Sequence, residues 1–126
     1  MDNRTAAVRV IPLNEVNTRI ESRVPGADTN PYLALAAALA SGLYGIKNKL
    51  KLDVPKSVGN AYRDKDREKL PENLLTATKK MAGSKIAKEL FGEAFVDHFT
   101  KTREWEWQQF MNQVTDWELK RYFEII

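Results

Sequence analysis

Charged and apolar side chains alternate in the stretch Arg19-Ile20-Glu21-Ser22-Arg23-Val24. Every second residue of a β-strand points to the same face. A strand here therefore places the two arginines and the glutamate in one row. Ile20 and Val24 would point the other way, into a core. The stretch predicts a strand with one charged face and one buried face.

The charged row sets the guanidinium groups of Arg19 and Arg23 on either side of the Glu21 carboxylate. Folding does not require such a row, because polar strand faces usually carry Thr, Lys and Ser. Two arginine forks around one acid suit a phosphate or carboxylate held beside a cation. The alternative is an exposed strand face with two weak ion pairs, each contributing about 0–1 kcal/mol.

The composition of the chain is that of one globular domain. It has 126 residues, 43% hydrophobic and 29% charged, which is enough to build a core. The absence of cysteine excludes disulfides, thiolate metal sites and a thiol nucleophile. The net charge of +3 comes from interleaved acids and bases. That pattern argues against a nucleic-acid surface, which would gather Lys and Arg into one patch.

The sequence also indicates where the protein works. The first residues are polar, and the next apolar run is broken by Arg9, so no signal peptide is visible. The longest apolar stretch, residues 31–46, is too short to span a bilayer. We therefore expect a cytoplasmic protein with no membrane partner.

Two strands and one apolar helix are predicted in the first half of the chain. The strands cover residues 5–11 and 18–24, so Arg9 can join the charged row from the neighbouring strand. Asn30 and Pro31 predict a helix start, because Asn caps free N–H groups and Pro suits the first helical position. This helix, residues 31–50, is apolar on nearly every side. A helix of that kind is buried on several faces, so we expect it to be central.

The second half of the chain is predicted to be a surface loop followed by a helical region. The loop covers residues 53–70, and the helical region covers residues 71–126. Pro71 predicts the start of a helix at 72–82, and Ser84 is predicted to cap a helix at 84–91. A third helix covers residues 93–113, and the capping-box pattern Thr115-Asp116-Trp117-Glu118 predicts the start of the last helix. His98 lies near the apolar stripe of the longest helix and is interpreted as structural. The predicted fold is α+β and mostly helical: a two-stranded element, the edge of an incomplete sheet, followed by four to five helices.

Several motifs together resemble one family. They are Asn3-Arg4-Thr5-Ala6-Ala7-Val8-Arg9-Val10-Ile11-Pro12, Arg19-Ile20-Glu21-Ser22-Arg23, Asn30-Pro31-Tyr32-Leu33-Ala34, Gly42-Leu43-Tyr44-Gly45-Ile46, Arg103-Glu104-Trp105-Glu106-Trp107 and Val114-Thr115-Asp116-Trp117-Glu118-Leu119. In this order they resemble the C-terminal part of the catalytic domain of the glutamine synthetase family, and the tail resembles that of its gamma-glutamyl ligases. The resemblance covers the whole chain, residues 1–126.

The resemblance implies an ATP-dependent ligase that uses Mg²⁺ or Mn²⁺ to join glutamate to ammonia or another amine. Arg4, Arg9 and Arg19 resemble the arginines at the nucleotide phosphates. Arg4 and Arg23 resemble those that act on the transferring phosphoryl group and the substrate carboxylate. Glu21 resembles a metal ligand. The family also implies a homo-oligomer, because its active sites form between subunits of a ring.

The departures from the family pattern lead to two alternatives. The family's other metal ligands and its ammonia site lie upstream of these motifs, and one glutamate cannot hold a metal cluster. We therefore expect a C-terminal fragment that is inactive alone. The alternative is a non-catalytic helical interaction module derived from the same fold. Tyr62 falls near a tyrosine that is nucleotidylated in regulated bacterial relatives, but its flanking residues differ, which favours an ordinary loop tyrosine.

Overall fold

The computed structural model describes residues 3–125. They form two compact units, Met1–Lys69 and Leu70–Ile126. The first unit contains the strands, the first helix and a short 3-10 turn, and the second contains the remaining helices. The elements are β1 (Val8–Ile11), β2 (Arg19–Ser22), α1 (Pro31–Lys47), the turn (Ala61–Arg63), α2 (Leu74–Gly83), α3 (Lys85–Phe91), α4 (Glu93–Met111) and α5 (Asp116–Tyr122). The prediction of a mostly helical α+β fold is confirmed.

Strands β1 and β2 form an antiparallel hairpin in which Arg9 lies opposite Glu21. Asn14 shapes the connection, because its side-chain oxygen accepts hydrogen bonds from the backbone N–H groups of Val16 (3.2 Å) and Asn17 (2.9 Å). Both strands are shorter than predicted. The buried face expected for β2 is wrong for this unit: Ile20 and Val24 are exposed, because no layer covers that side of a two-stranded sheet.

Helix α1 begins as predicted at the Asn30 cap. The Asn30 side-chain oxygen accepts hydrogen bonds from the N–H groups of Tyr32 (3.0 Å) and Leu33 (3.3 Å). The helix ends at Lys47, three residues before the predicted end at residue 50.

The burial expected of α1 on several sides is wrong for the described residues. Its half-buried residues are mostly small ones, such as Ala34, Ala37 and Ala40. The large side chains form one exposed strip, 56–83% accessible, which we call the α1 strip: Tyr32, Leu35, Leu39, Leu43 and Ile46. No other helix or strand among residues 3–125 packs extensively on α1. The half-buried alanines are therefore not enough to make α1 part of a core.

The second unit is organised around α4, which packs against α2 and α3. Its core is small: Val96 of α4 is 1% exposed, and Thr78 of α2 and Thr100 of α4 are also buried. Each threonine hydroxyl donates to a carbonyl one turn earlier, at 2.7 Å for Thr78 to Leu74 and 2.8 Å for Thr100 to Val96. These bonds satisfy the hydroxyls inside the helices, so their burial leaves no polar group without a partner.

The helix ends of the second unit follow local capping. Ser84 caps α3, and Thr115 and Glu118 form the predicted capping box of α5. The predicted start of α2 at residue 72 is wrong, because Asn73 caps it and the helix begins at Leu74. Gly92 separates α3 from α4 at φ +83°, a conformation that favours glycine. No helix within residues 3–125 is both long and apolar enough to cross a membrane.

Candidate functional site

Three arginines and one glutamate line a depression of about 310 Å³ in the first unit. They are Arg4, Arg9, Glu21 and Arg23. One Arg9 terminal nitrogen lies 3.2 Å from Glu21 Oε2, and Arg23 Nε lies 3.3 Å from Glu21 Oε1. Each carboxylate oxygen therefore contacts a different guanidinium group. We call these four residues the arginine cluster.

The hairpin register explains why the arginine cluster forms. Arg9 and Glu21 are directly opposed across the two strands, where side chains come within contact distance. Arg23 lies two residues beyond Glu21, on the same face of the chain. With three guanidinium groups and one carboxylate, the cluster keeps a net positive charge. Such a surface attracts anions, and arginine forks match the geometry of phosphate oxygens.

The Glu21 carboxylate is held in its charged form although it is partly exposed. The hydrogen bond from Arg23 lowers the pKa of Glu21 most. Desolvation, the next largest influence, raises it, and the hydrogen bond from Arg9 lowers it further. The side chain of Glu21 is 42% exposed, while that of Arg23 is only 22% exposed. The less exposed guanidinium is therefore the better-placed partner, and it orients the carboxylate.

Arg23 is fixed from a second direction. Its Nη1 donates a 2.7 Å hydrogen bond to the backbone carbonyl of Asn3, twenty residues away in the chain. The guanidinium therefore bridges β2 and the N-terminal segment that carries Arg4. A side chain held at both ends loses less entropy when it binds a ligand.

Arg19 lies apart from the arginine cluster. It is opposite Ile11 at the far end of the hairpin, and its Nη1 donates to the carbonyl of Asn17 at 3.0 Å. It does not line the depression. The structure therefore brings together four of the five predicted site residues and leaves Arg19 beside the turn.

Sequence reasoning missed the residues that support the arginine cluster. Asn3 and Thr5 flank Arg4 and hydrogen-bond to the loop at Gly59 and Ala61, 56 positions along the chain. In the sequence, Asn3 and Thr5 are marked only by being an amide and a hydroxyl residue on either side of an arginine. Nothing local predicts a partner at that separation.

The residues that the structure describes do not form a complete metal site. They contain no group of three or more acidic, histidine or cysteine side chains able to hold an ion. Glu21 is a single carboxylate, and both of its oxygens already contact arginines. Mg²⁺ and Mn²⁺ need several oxygen ligands, so Glu21 alone cannot complete a site for either ion.

The pKa of Glu21 offers a direct test of the arginine cluster. We expect Arg23→Ala to raise this pKa toward 4.5, and Arg9→Ala to raise it less, because the Arg23 hydrogen bond is the largest influence. Since folding depresses the pKa, the ion pairs stabilise the fold fully above pH 4.5 and are lost as the pH falls through the folded-state value. Carboxyl ¹³C shifts of Glu21 against pH measure the change. Arg19→Ala is the matched control, and an unchanged pKa in Arg23→Ala would contradict the geometry.

The sequence of the whole segment identifies its relatives. A family model described as the glutamine synthetase catalytic domain matches residues 1–122. The chain belongs to the glutamine synthetase family. The predicted resemblance is therefore confirmed, and the arginine cluster lies in a segment of a ligase family's catalytic domain.

Curated members of the glutamine synthetase family align with nearly the whole chain. Type-1 glutamine synthetase 2 of Dictyostelium discoideum is 51% identical, over 100% of this chain and 25% of that protein. Glutamate–isopropylamine ligase of a Pseudomonas species is 45% identical, over 99% and 28%. Gamma-glutamylethanolamide synthetase of Streptomyces coelicolor is 43% identical, over 98% and 26%. The chain thus spans about a quarter of the length of these relatives.

Proposed function

We propose that this chain is the phosphate-binding C-terminal part of an ATP-dependent ligase that joins glutamate to ammonia or another amine. The observation that carries the proposal is the arginine cluster, in which three arginines line one depression and two of them contact the Glu21 carboxylate. Amide formation from glutamate requires an activated carboxylate, and ATP activates it by phosphorylation. Arginine forks suit both the nucleotide phosphates and the charge that develops during this transfer.

We assign each residue of the proposed site to a part of this reaction. Arg4, Arg9 and Arg19 bind nucleotide phosphates, and Arg4 and Arg23 also hold the transferring phosphoryl group or the glutamate carboxylate. Glu21 provides one ligand of a Mg²⁺ or Mn²⁺ ion, which when bound neutralises phosphate charge. The other metal ligands belong to the remaining three quarters of the family's length. Arg19 has the weakest support, because it lies outside the depression.

The choice of amine lies outside this segment in our proposal. The relatives named for glutamine, isopropylamine and ethanolamide products or substrates all align with the same residues at 43–51% identity. The names of these relatives differ in the amine, yet the segment is common to them. We therefore assign the segment to the step that all of them share. That step is the phosphorylation of glutamate. We also propose that the protein is cytoplasmic.

A hybrid protein tests the proposed function. Residues 1–126 would replace the matching quarter of the Dictyostelium type-1 glutamine synthetase 2, to which they are 51% identical. We expect the hybrid to release phosphate with glutamate, ATP, ammonia and Mg²⁺, and the isolated chain to show no turnover. The isolated chain has one candidate metal carboxylate and no group of three possible ligands within residues 3–125.

The hybrid also decides between the ligase and the non-catalytic module. A hybrid that folds and assembles like the parent enzyme but releases no phosphate would favour the interaction module. Turnover by the isolated chain, abolished by Glu21→Ala, would overturn the expectation that it is inactive alone. The parent enzyme without its final quarter is the control for residual activity.

We further propose that the chain is part of a homo-oligomer and that the isolated chain self-associates. Trp105 and Trp117 are 65% and 64% exposed, and Tyr122, Phe123 and Ile125 are exposed beside the latter. Apolar patches of more than a few hundred Å² usually mark a partner surface. Light scattering at high micromolar concentration should show a dimer or small oligomer. A strict monomer whose tryptophans are shielded from a quencher would contradict this.

A further inference from the structure

Asn3 makes hydrogen bonds in three directions. Its side-chain nitrogen donates to the carbonyl of Gly59 at 2.9 Å, and its side-chain oxygen accepts from the N–H of Thr5 at 3.0 Å. Its backbone carbonyl accepts from Arg23 at 2.7 Å. One residue therefore joins the N-terminal segment, β2 and the loop that follows α1.

Thr5 completes the connection to the loop. Its hydroxyl donates to the side-chain oxygen of Asn3 and accepts a 2.8 Å hydrogen bond from the N–H of Ala61. A hydroxyl can do both at once, because it carries one donor and two acceptor sites. The side chain of valine has a similar shape but does neither. The requirement at this position is thus for a hydroxyl group.

The loop is shaped to receive these bonds. Gly59 adopts φ +75°, a conformation that side chains other than glycine rarely adopt. Asn60 caps the turn at Ala61–Arg63 by accepting from the N–H of Tyr62 at 3.0 Å. Ala61 is the first residue of that turn, so its N–H has no carbonyl partner within the turn and is available to Thr5.

We propose that Asn3 and Thr5 are positioning residues of the arginine cluster. They fasten the loop at Gly59–Ala61 and the guanidinium of Arg23 to the same short segment that carries Arg4. The two arginines assigned to the phosphoryl group, Arg4 and Arg23, are then set relative to each other by one hydrogen-bonded unit. Their role in phosphate binding rests on the proposed function above, whereas the restraint on Arg23 does not.

The restraint is tested with two substitutions that each remove the hydrogen bond between the Ala61 N–H and the Thr5 hydroxyl, one from each side. Thr5→Val removes the hydroxyl. Ala61→Pro removes the N–H donor at the first position of a turn, where proline suits the backbone and Asn60 before it is already extended. Thr5→Ser keeps the hydroxyl and should behave as the unmodified chain. Thr18→Val is the matched control, because Thr18 donates a 2.7 Å hydrogen bond to Asn14 in the hairpin turn.

The measurement is ¹⁵N NMR on the 126-residue chain with inorganic pyrophosphate as the probe. We expect Thr5→Val and Ala61→Pro to speed the hydrogen exchange of the Arg23 Nε–H. Pyrophosphate binding should weaken roughly threefold to tenfold, which corresponds to about one ordinary hydrogen bond. Thr5→Ser and Thr18→Val should change neither quantity.

The outcomes separate this inference from the proposed function. If Arg23 exchange and pyrophosphate affinity stay unchanged in both Thr5→Val and Ala61→Pro, the Thr5–Ala61 hydrogen bond only holds the loop in place. The inference is then wrong. If Thr5→Ser fails to restore Arg23 exchange, the hydroxyl is not the cause and the inference is again wrong. If the unmodified chain binds no pyrophosphate but Arg23 exchange follows Thr5, positioning of Arg23 is supported while the proposed function loses its support.

Discussion

Arg23→Ala should lower the kcat of the hybrid enzyme by about two to three orders of magnitude, while the melting temperature changes little. In the proposed function Arg23 contacts the phosphoryl group where charge develops, and losing one such donor typically costs about 3–4 kcal/mol of barrier. Folding depends on it less, because its contacts with Glu21 and with the Asn3 carbonyl lie at a partly exposed hairpin face. Arg23→Lys should also be poor, since a point charge cannot replace a two-pronged fork.

Two further variants are measured beside Arg23→Ala and Arg23→Lys. Arg4→Ala should resemble Arg23→Ala, because both side chains line the same depression. Arg121→Ala removes an exposed arginine of α5 and should keep full activity. Phosphate release and thermal denaturation are measured on every variant. Near-normal turnover in Arg4→Ala, Arg23→Ala and Arg23→Lys together would mean that the row is only a solvated strand face.

Val96→Asp should unfold the second unit. Val96 is its one fully buried apolar side chain among the described residues, and it lies on α4, which packs against α2 and α3. Burying an unpaired carboxylate costs several kcal/mol. A unit of this size has only about 3–8 kcal/mol of stability to lose. The substitution therefore removes most or all of it.

Amide hydrogen exchange across residues 74–111 measures this loss directly. We expect protection to collapse in Val96→Asp and to weaken in Val96→Ala, which leaves a small cavity. Val114→Asp is the matched control, because Val114 is exposed just after α4. Equal protection in Val96→Asp and Val114→Asp would show that the packing around α4 is not what holds this unit together.

Helix ends were largely predictable from the sequence because capping is a local interaction. Asn30, Ser84 and Thr115 each cap a helix within three residues of themselves, and each was predicted. The start of α2 was missed because Pro71 also suits a first helical position, whereas the Asn73 capping box sets the boundary. Burial was not predictable, since it depends on which distant segment covers a face. The exposed Ile20 and the α1 strip show this.

The site was predictable only as far as strand alternation extends. Alternation predicts that Arg9, Glu21 and Arg23 lie close together, and the hairpin register does bring them together. It also placed Arg19 in the same row, but the hairpin ends there and Arg19 bonds to the turn instead. The bonds from Asn3 and Thr5 to the loop depend on chain closure over 56 residues, which no periodicity encodes.

The α1 strip also bears on how long such a chain survives in a cell. Five large apolar side chains along one side of a 17-residue helix stand in water, which is the kind of surface that chaperones retain and that aggregates capture. Synthesised without anything to cover the strip, the chain is exposed to quality control from the moment it leaves the ribosome. The amount of the chain in the cell would then depend more on the amount of the protein surface that covers the α1 strip than on how fast the chain itself is made.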